Sequence, residues 1–198
     1  MKFGLSMVCV AVLGAGVGAF QAQGAGGGRQ AAPPPTPPAS VSAEVSGFYN
    51  TIAGYISRSA ELVPADKYTW QPTPDVRSYA RMFAHIVDDN NGACSAIAGV
   101  PAPATRVDTG SAGNWAADKM PKADIVKALN DSIALCQKAF SMVDQANMME
   151  MSGRRTKIGN LIYNTSHINE HYGNLVTYLR LNGMVPPSSA PRGGGPAY

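Results

Sequence analysis

Four stretches of the chain carry apolar residues at helical spacing, and none shows the strict alternation of a strand. In the first, Val41, Val45, Phe48, Ile52, Tyr55 and Ile56 recur at steps of three and four. They predict a helix from Val41 to Leu62 with these side chains on its inner face. Ser40 is placed to cap it, Glu44 stands in its first turn, and Pro64 follows its end. A second helix is predicted from the cap Ser78 to Ala98, with Met82, Phe83, Ile86, Cys94 and Ile97 inward. A third spans Lys122 to Asp144 on the stripe Ile125, Leu129, Ile133, Cys136, Phe140 and Val143. The fourth and longest runs from Arg155 to Asn182, where Gly183 and then Pro186 form a stop signal. The prolines of the Val63–Arg77 connector exclude a helix there, so Tyr68 and Trp70 are expected to pack over one end of the core. The connector Gly99–Pro121 is long and rich in Gly, Ala and Pro, with Trp115 near its middle. A crossover of that length lets its two helices run parallel, where a short loop would force them antiparallel. The pattern therefore predicts an all-α fold, a four-helix bundle with a long crossover between helices 2 and 3.

The fourth helix carries two stripes. Ile158, Leu161, Ile168, Leu175 and Leu179 form an apolar one. Asn160, Asn164, His167, His171, Asn174 and Tyr178 form a polar one, offset by roughly one residue step of a helix. Side by side, the stripes suggest a polar pocket inside the bundle or at its mouth, because buried Asn and His need partners. His167 and His171 stand one turn apart and point the same way. His85, the third of three histidines in the chain, falls at the inner edge of the second helix. Three imidazoles so placed make a candidate metal site with open positions for water or substrate. Asp89, one turn after His85, reads as a partner orienting that ring, as a fourth ligand, or as a solvated carboxylate beside Asp88. Asn164 and Asn174 are the expected polar wall of the pocket.

Composition trims the domain and narrows the function. Lys2, the apolar run Leu5–Phe20 and the small residues after it predict an export signal over residues 1–23. Residues 24–40, with their cluster of prolines, predict a disordered spacer, and 188–198 a disordered tail. One domain, residues 41–187, remains, and about 145 residues is a common size for a single core. The formal charge of +3 is modest, and the single basic cluster, Arg154, Arg155 and Lys157, lacks interleaved aromatics. Nucleic-acid binding is therefore disfavoured. After signal removal no stable membrane insertion is expected, and the location implied is secreted or periplasmic.

His167, Glu170 and His171 also match the H-x-x-E-H pattern of some metalloproteases. Such enzymes need a carboxylate ligand downstream, and no Asp or Glu follows Glu170. Glu170 also points well away from the histidine stripe, so it reads as flanking. No nucleophile elbow or phosphate loop is present.

Two blocks carry a resemblance. The first runs from Val63-Pro64-Ala65 through Trp70-Gln71-Pro72-Thr73-Pro74 and Val76-Arg77-Ser78 to Phe83-Ala84-His85-Ile86. The second is His167-Ile168-Asn169-Glu170-His171-Tyr172-Gly173-Asn174-Leu175, then Tyr178-Leu179-Arg180-Leu181-Asn182-Gly183-Met184-Val185-Pro186-Pro187. With them the chain resembles the DinB-like family of metal-binding four-helix bundles over nearly all of Val41–Pro187. One histidine on helix 2 and H-x-x-x-H on helix 4 is that family's ligand pattern, here His85, His167 and His171. The resemblance implies helices running up-down-down-up and a divalent metal, zinc or nickel, bound by three imidazoles and completed by water. Some relatives are thiol-dependent transferases or isomerases, some are called metal-dependent hydrolases, and many have no known activity.

The implied topology makes helices 2 and 3 parallel. Cys94 and Cys136 then differ in height by only about 3 Å at the rise of a helix, which predicts a disulfide in an oxidising compartment. The leading expectation is an exported metal-dependent hydrolase. A non-catalytic metal-binding or stress-associated protein and a thiol-dependent S-transferase are the alternatives. A small-molecule substrate and a homodimer are the partners this allows.

Overall fold

A computed structural model describes residues 40–190. The predicted export signal, nearly all of the spacer and the last eight residues lie outside the described residues. Four helices form the domain: α1 Val41–Leu62, α2 Tyr79–Cys94, α3 Lys122–Ser141 and α4 Lys157–Leu181. Ser40, Ser78 and Thr156 each accept a backbone N–H of the first turn of α1, α2 and α4. A first-turn N–H has no partner within its own helix, which is why hydroxyl residues sit there. Past α4, Gly183 adopts a positive φ of 72°. Gly183 and Met184 then donate back to Arg180 and Leu179, closing the helix as glycine stops do.

Cross-helix pairs fix the topology. Asn90 meets Ser132 and Cys94 meets Cys136, so α2 and α3 run parallel. Ser57 meets Asn130 and Asn50 meets Gln137, so α1 and α3 are antiparallel. Asn90 meets Asn164 and Tyr79 meets Asn182, so α2 and α4 are antiparallel as well. The order is up-down-down-up, and the main packing partners of α4 are α1 and α2.

The core is continuous through all four helices, with Tyr49, Ile56, Phe83, Ile86, Ile125, Leu129, Leu161, Ile168, Leu175 and Leu179 fully buried. The inner face of α1 differs from the expected one. Phe48 is 59% exposed, while Tyr49, Ala53, Ile56 and Ala60 are buried. The buried face lies about one residue step around the helix from the stripe drawn through the large apolar residues. Two alanines on it let neighbouring helices approach, a signal that counting bulky side chains misses. Helices α2 and α3 also end earlier than expected, at Cys94 and Ser141.

At one end of the bundle Trp70 packs on Tyr79 and Tyr178, and the Tyr68 hydroxyl donates to the Ala60 carbonyl at 2.7 Å. In the interior, Asn90 Oδ1 accepts from the Tyr49 hydroxyl and the Asn164 amide, and Asn90 Nδ2 donates to Ser132. One buried amide thus ties all four helices together. Next to it, a disulfide joins Cys94 and Cys136, with Cα atoms 5.0 Å apart.

The connectors hold two short antiparallel pairs that hydrophobic alternation could not signal at this length. In the crossover β1 (Gly110–Ser111) pairs with β2 (Asn114–Trp115), and before α4 β3 (Met151–Ser152) pairs with β4 (Arg155–Thr156). Gly110 is required: its φ is 136°, and a Cβ there would lie 2.8 Å from the Trp115 Cα.

Candidate metal centre

His85 and Asp89 stand one turn apart on α2, and His167 and His171 one turn apart on α4. The antiparallel packing of the two helices brings all four together. Asp89 Oδ2 lies 3.2 Å from His85 Nε2, 3.3 Å from His167 Nδ1 and 3.9 Å from His171 Nε2. The Nε2 atoms of His167 and His171 are 3.0 Å apart. One donor atom from each residue falls within 4.8 Å of all the others.

The surroundings keep the imidazoles of His85 and His171 neutral. Burial lowers the pKa of His85 to about 4, helped by the Arg77 guanidinium. Burial and the neighbouring His85 lower that of His171, again to about 4. At neutral pH both rings therefore keep a lone pair for a ligand. Burial pushes the Asp89 carboxyl the other way, above its ordinary range.

Asp89 Oδ2 is buried and accepts no hydrogen bond, although nitrogens of three rings face it. A buried carboxylate oxygen without a partner is costly. A cation among the four donors would supply one, and three imidazoles with one carboxylate suit a divalent transition metal. The residues present therefore fit a metal ion. His171 Nδ1, on the other side of its ring, is also buried without a partner, and an ion would not supply that one.

The crossover forms a wall of the site through two aspartates. Asp88 accepts from the Val107 and Asp108 amides at 2.8 and 2.9 Å and from Arg106 Nε at 3.3 Å, pinning this loop to α2. Asp108 is thereby held behind His85, with Oδ2 3.7 Å from Nδ1. Arg77 and Arg81 flank Asp108 at 3.2 and 3.7 Å, and Arg81 lies over the Trp115 ring at 3.6 Å. Arg77 Nη2 also stands 3.4 Å from His85 Nδ1. Arginine can only donate and Asp108 can only accept, so the tautomer of His85 decides which contact forms. With the proton on Nδ1, toward Asp108, the Nε2 lone pair faces the cluster.

A cavity of about 420 Å³ opens beside the cluster, lined by Asp89, His167, Asn164, Tyr163, Arg106 and Arg155 among others. Of the residues expected from sequence, His85, Asp89, His167 and His171 converge. Asn164 lines the cavity, but its amide is turned into the core toward Asn90. Asn174 does not belong to this wall. It is exposed and borders a separate hollow with Arg77, Arg81 and Tyr178. A seven-residue step falls short of two full helical turns by about 20°, and by Asn174 the stripe has reached the rim of the bundle. Glu170 is exposed, as its angular offset implied. Asp108, Asp88, Arg77 and Arg81 stand around His85 without being expected there from the sequence. The one available hint is Asp108 itself, an acidic side chain in a connector rich in Gly, Ala and Pro.

Fold and site together define the class: a four-helix bundle of up-down-down-up order with a three-histidine, one-aspartate cluster between α2 and α4. The DinB superfamily model matches residues 52–186, and the chain belongs to that superfamily. A search of the curated proteins finds no match.

Proposed function

We propose that this protein is an exported, metal-dependent hydrolase acting on a small molecule. The single observation that supports it most is the open cavity directly beside the donor cluster. A purely structural metal site is closed on all sides by protein, whereas a catalytic one keeps room for substrate. His85, His167 and His171 would hold a divalent metal, zinc or nickel, with Asp89 completing the donor set. When bound, such a cation would supply Lewis acidity toward a carbonyl, phosphoryl group or water. The chain supplies the rest. Asp108 and Arg77 orient the His85 ring from behind. Asp89 brings the one carboxylate of the cluster to 3.2–3.9 Å from a nitrogen of each imidazole, where it would help to hold the ion. The export signal expected from the sequence and the Cys94–Cys136 pair support a secreted or periplasmic location, where cytosolic thiol cofactors are scarce; this disfavours the transferase reading.

One observation favours a second reading, a metal-binding protein without turnover: Asp89 is a fourth protein donor within reach of all three imidazoles. Metal analysis of the native protein and of a variant carrying His167→Ala and His171→Ala tests the centre. The native protein should retain a divalent ion through dialysis and the variant should lose it. Equal metal content in both would refute the site. An ester, amide and phosphoester screen then separates the readings, since turnover that Asp89→Asn abolishes is expected only of the hydrolase.

A further inference from the structure

The cavity beside the donor cluster has a second charged wall. Arg155, in β4, places its guanidinium over the Tyr163 ring at 4.0 Å. Tyr163 in turn lies 5.7 Å, centroid to centroid, from the His167 ring. All three side chains line the same cavity. This column sets the guanidinium within about 10 Å of the His167 ring and holds it on an aromatic face. Among the described residues Arg155 makes no ion pair, and the acids near it are engaged elsewhere. Asp88 holds Arg106 and two loop amides, Glu150 pairs with Lys157, and Asp89 belongs to the donor cluster. With a divalent cation in place, neutral imidazoles and one carboxylate leave the inner end of the cavity positive. The Arg106–Asp88 pair adds nothing net, and Arg155 adds a further positive charge at the outer end. Such a cavity draws in anions and disfavours cations.

We propose that Arg155 anchors the oxyanion end of a small organic acid, a carboxylate or phosphate, whose other polar end reaches the metal. This rests on the metal-centre reading above and names its substrate class. A guanidinium presents two parallel N–H groups to an oxyanion, and stacking on Tyr163 leaves those edges free. The spacing asks for a ligand a few bonds long between its acid and the atom at the metal.

The test uses zinc-loaded full-length protein and hydroxamates as metal-directed probes, read by isothermal titration calorimetry. Succinic, glutaric and adipic monohydroxamates are each compared with the methyl-ended hydroxamate of equal length. In the native protein the best acid-ended probe should bind about 10- to 100-fold more tightly than its methyl-ended counterpart. Arg155→Gln should erase that advantage while leaving the methyl-ended affinity in place, and Arg155→Lys should restore part of it. Replacing the carboxylate by a phosphonate separates the two acids; a stronger advantage for either upholds the anchor. If both probes of a pair bind equally in the native protein, or if Arg155→Gln preserves the acid preference, the anchor is refuted while the metal centre stands. If neither probe binds although zinc is retained, the metal has no open position, and the hydrolase reading fails together with the anchor while the metal site itself stands.

Discussion

Replacing Asn90 by alanine should cost the bundle much of its stability, for a reason that can be followed atom by atom. Asn90 is fully buried, and its Oδ1 is the acceptor for the Tyr49 hydroxyl at 3.2 Å and for the Asn164 amide at 2.9 Å. Tyr49 is fully buried and Asn164 nearly so, so water cannot replace the lost acceptor. Ser132 suffers less, because its hydroxyl still donates to the Leu129 carbonyl at 2.8 Å. The Tyr49 hydroxyl is left stranded and the Asn164 amide keeps only a long contact to the Cys136 sulfur at 3.6 Å, a cost of about 1–3 kcal/mol each. With a small void where the amide was, Asn90→Ala should lose about 3–5 kcal/mol. A domain of this kind has about 5–15 kcal/mol to lose. Urea unfolding followed by circular dichroism, with the disulfide intact, measures the loss. Tyr49→Phe alone should cost only about 1 kcal/mol, since Asn90 Oδ1 keeps Asn164 as donor. In the Asn90→Ala background the same change should be near neutral or stabilising, because it deletes a stranded hydroxyl. A loss below about 1 kcal/mol for Asn90→Ala, or an equal cost of Tyr49→Phe in both backgrounds, would refute the reasoning.

Two further outcomes are expected. The Cys94–Cys136 bond spans 42 residues of chain, so reducing it should lower stability by about 4 kcal/mol in the chain-entropy account, seen as a reductant-dependent drop in melting temperature. A Cys94→Ala, Cys136→Ala variant should melt at the same temperature with and without reductant. The metal-free protein should also lose stability as pH falls from about 6.5 toward about 4. Over that interval the unfolded chain protonates His85 and His171 while the folded chain, with both pKa values lowered to about 4, does not. Asp89, with its pKa raised, opposes this by at most one proton against two, so the net direction holds. Denaturant midpoints across this range check it: a flat profile would contradict the buried neutral state of the two rings, and His171→Ala should shallow the slope.

Much of this could be read from the sequence because helical periodicity and end signals are local. Ser40, Ser78 and Gly183 act where their types predict, and the histidines follow from i, i+4 geometry and their place at the edge of apolar stripes. The missing parts are non-local or depend on small residues. Nothing in the order of residues says that Asp108, 19 positions after Asp89, would stand behind His85; it gets there because Asp88 grips two amides of the crossover. The buried face of α1 lies one step from its bulky stripe because Ala53 and Ala60 are buried while Phe48 is exposed. Asn174 shares the polar stripe but sits on its solvent side, so it is exposed although Leu175 and Tyr178 beside it on α4 are buried.

The up-down-down-up order also bears on how the molecule forms. Helix α4 packs chiefly against α1 and α2, its distant neighbours in sequence; the Tyr79–Asn182 contact closes a separation of 103 residues. Contacts of that span pay their loop entropy before they return any burial, so docking of α4 is expected to be a late and slow step. His85 and Asp89 can therefore be in place on α2 while the remaining two imidazoles are still unplaced. A donor cluster of this design is complete only once α4 has docked, and a chain in which it has not presents half of the cluster.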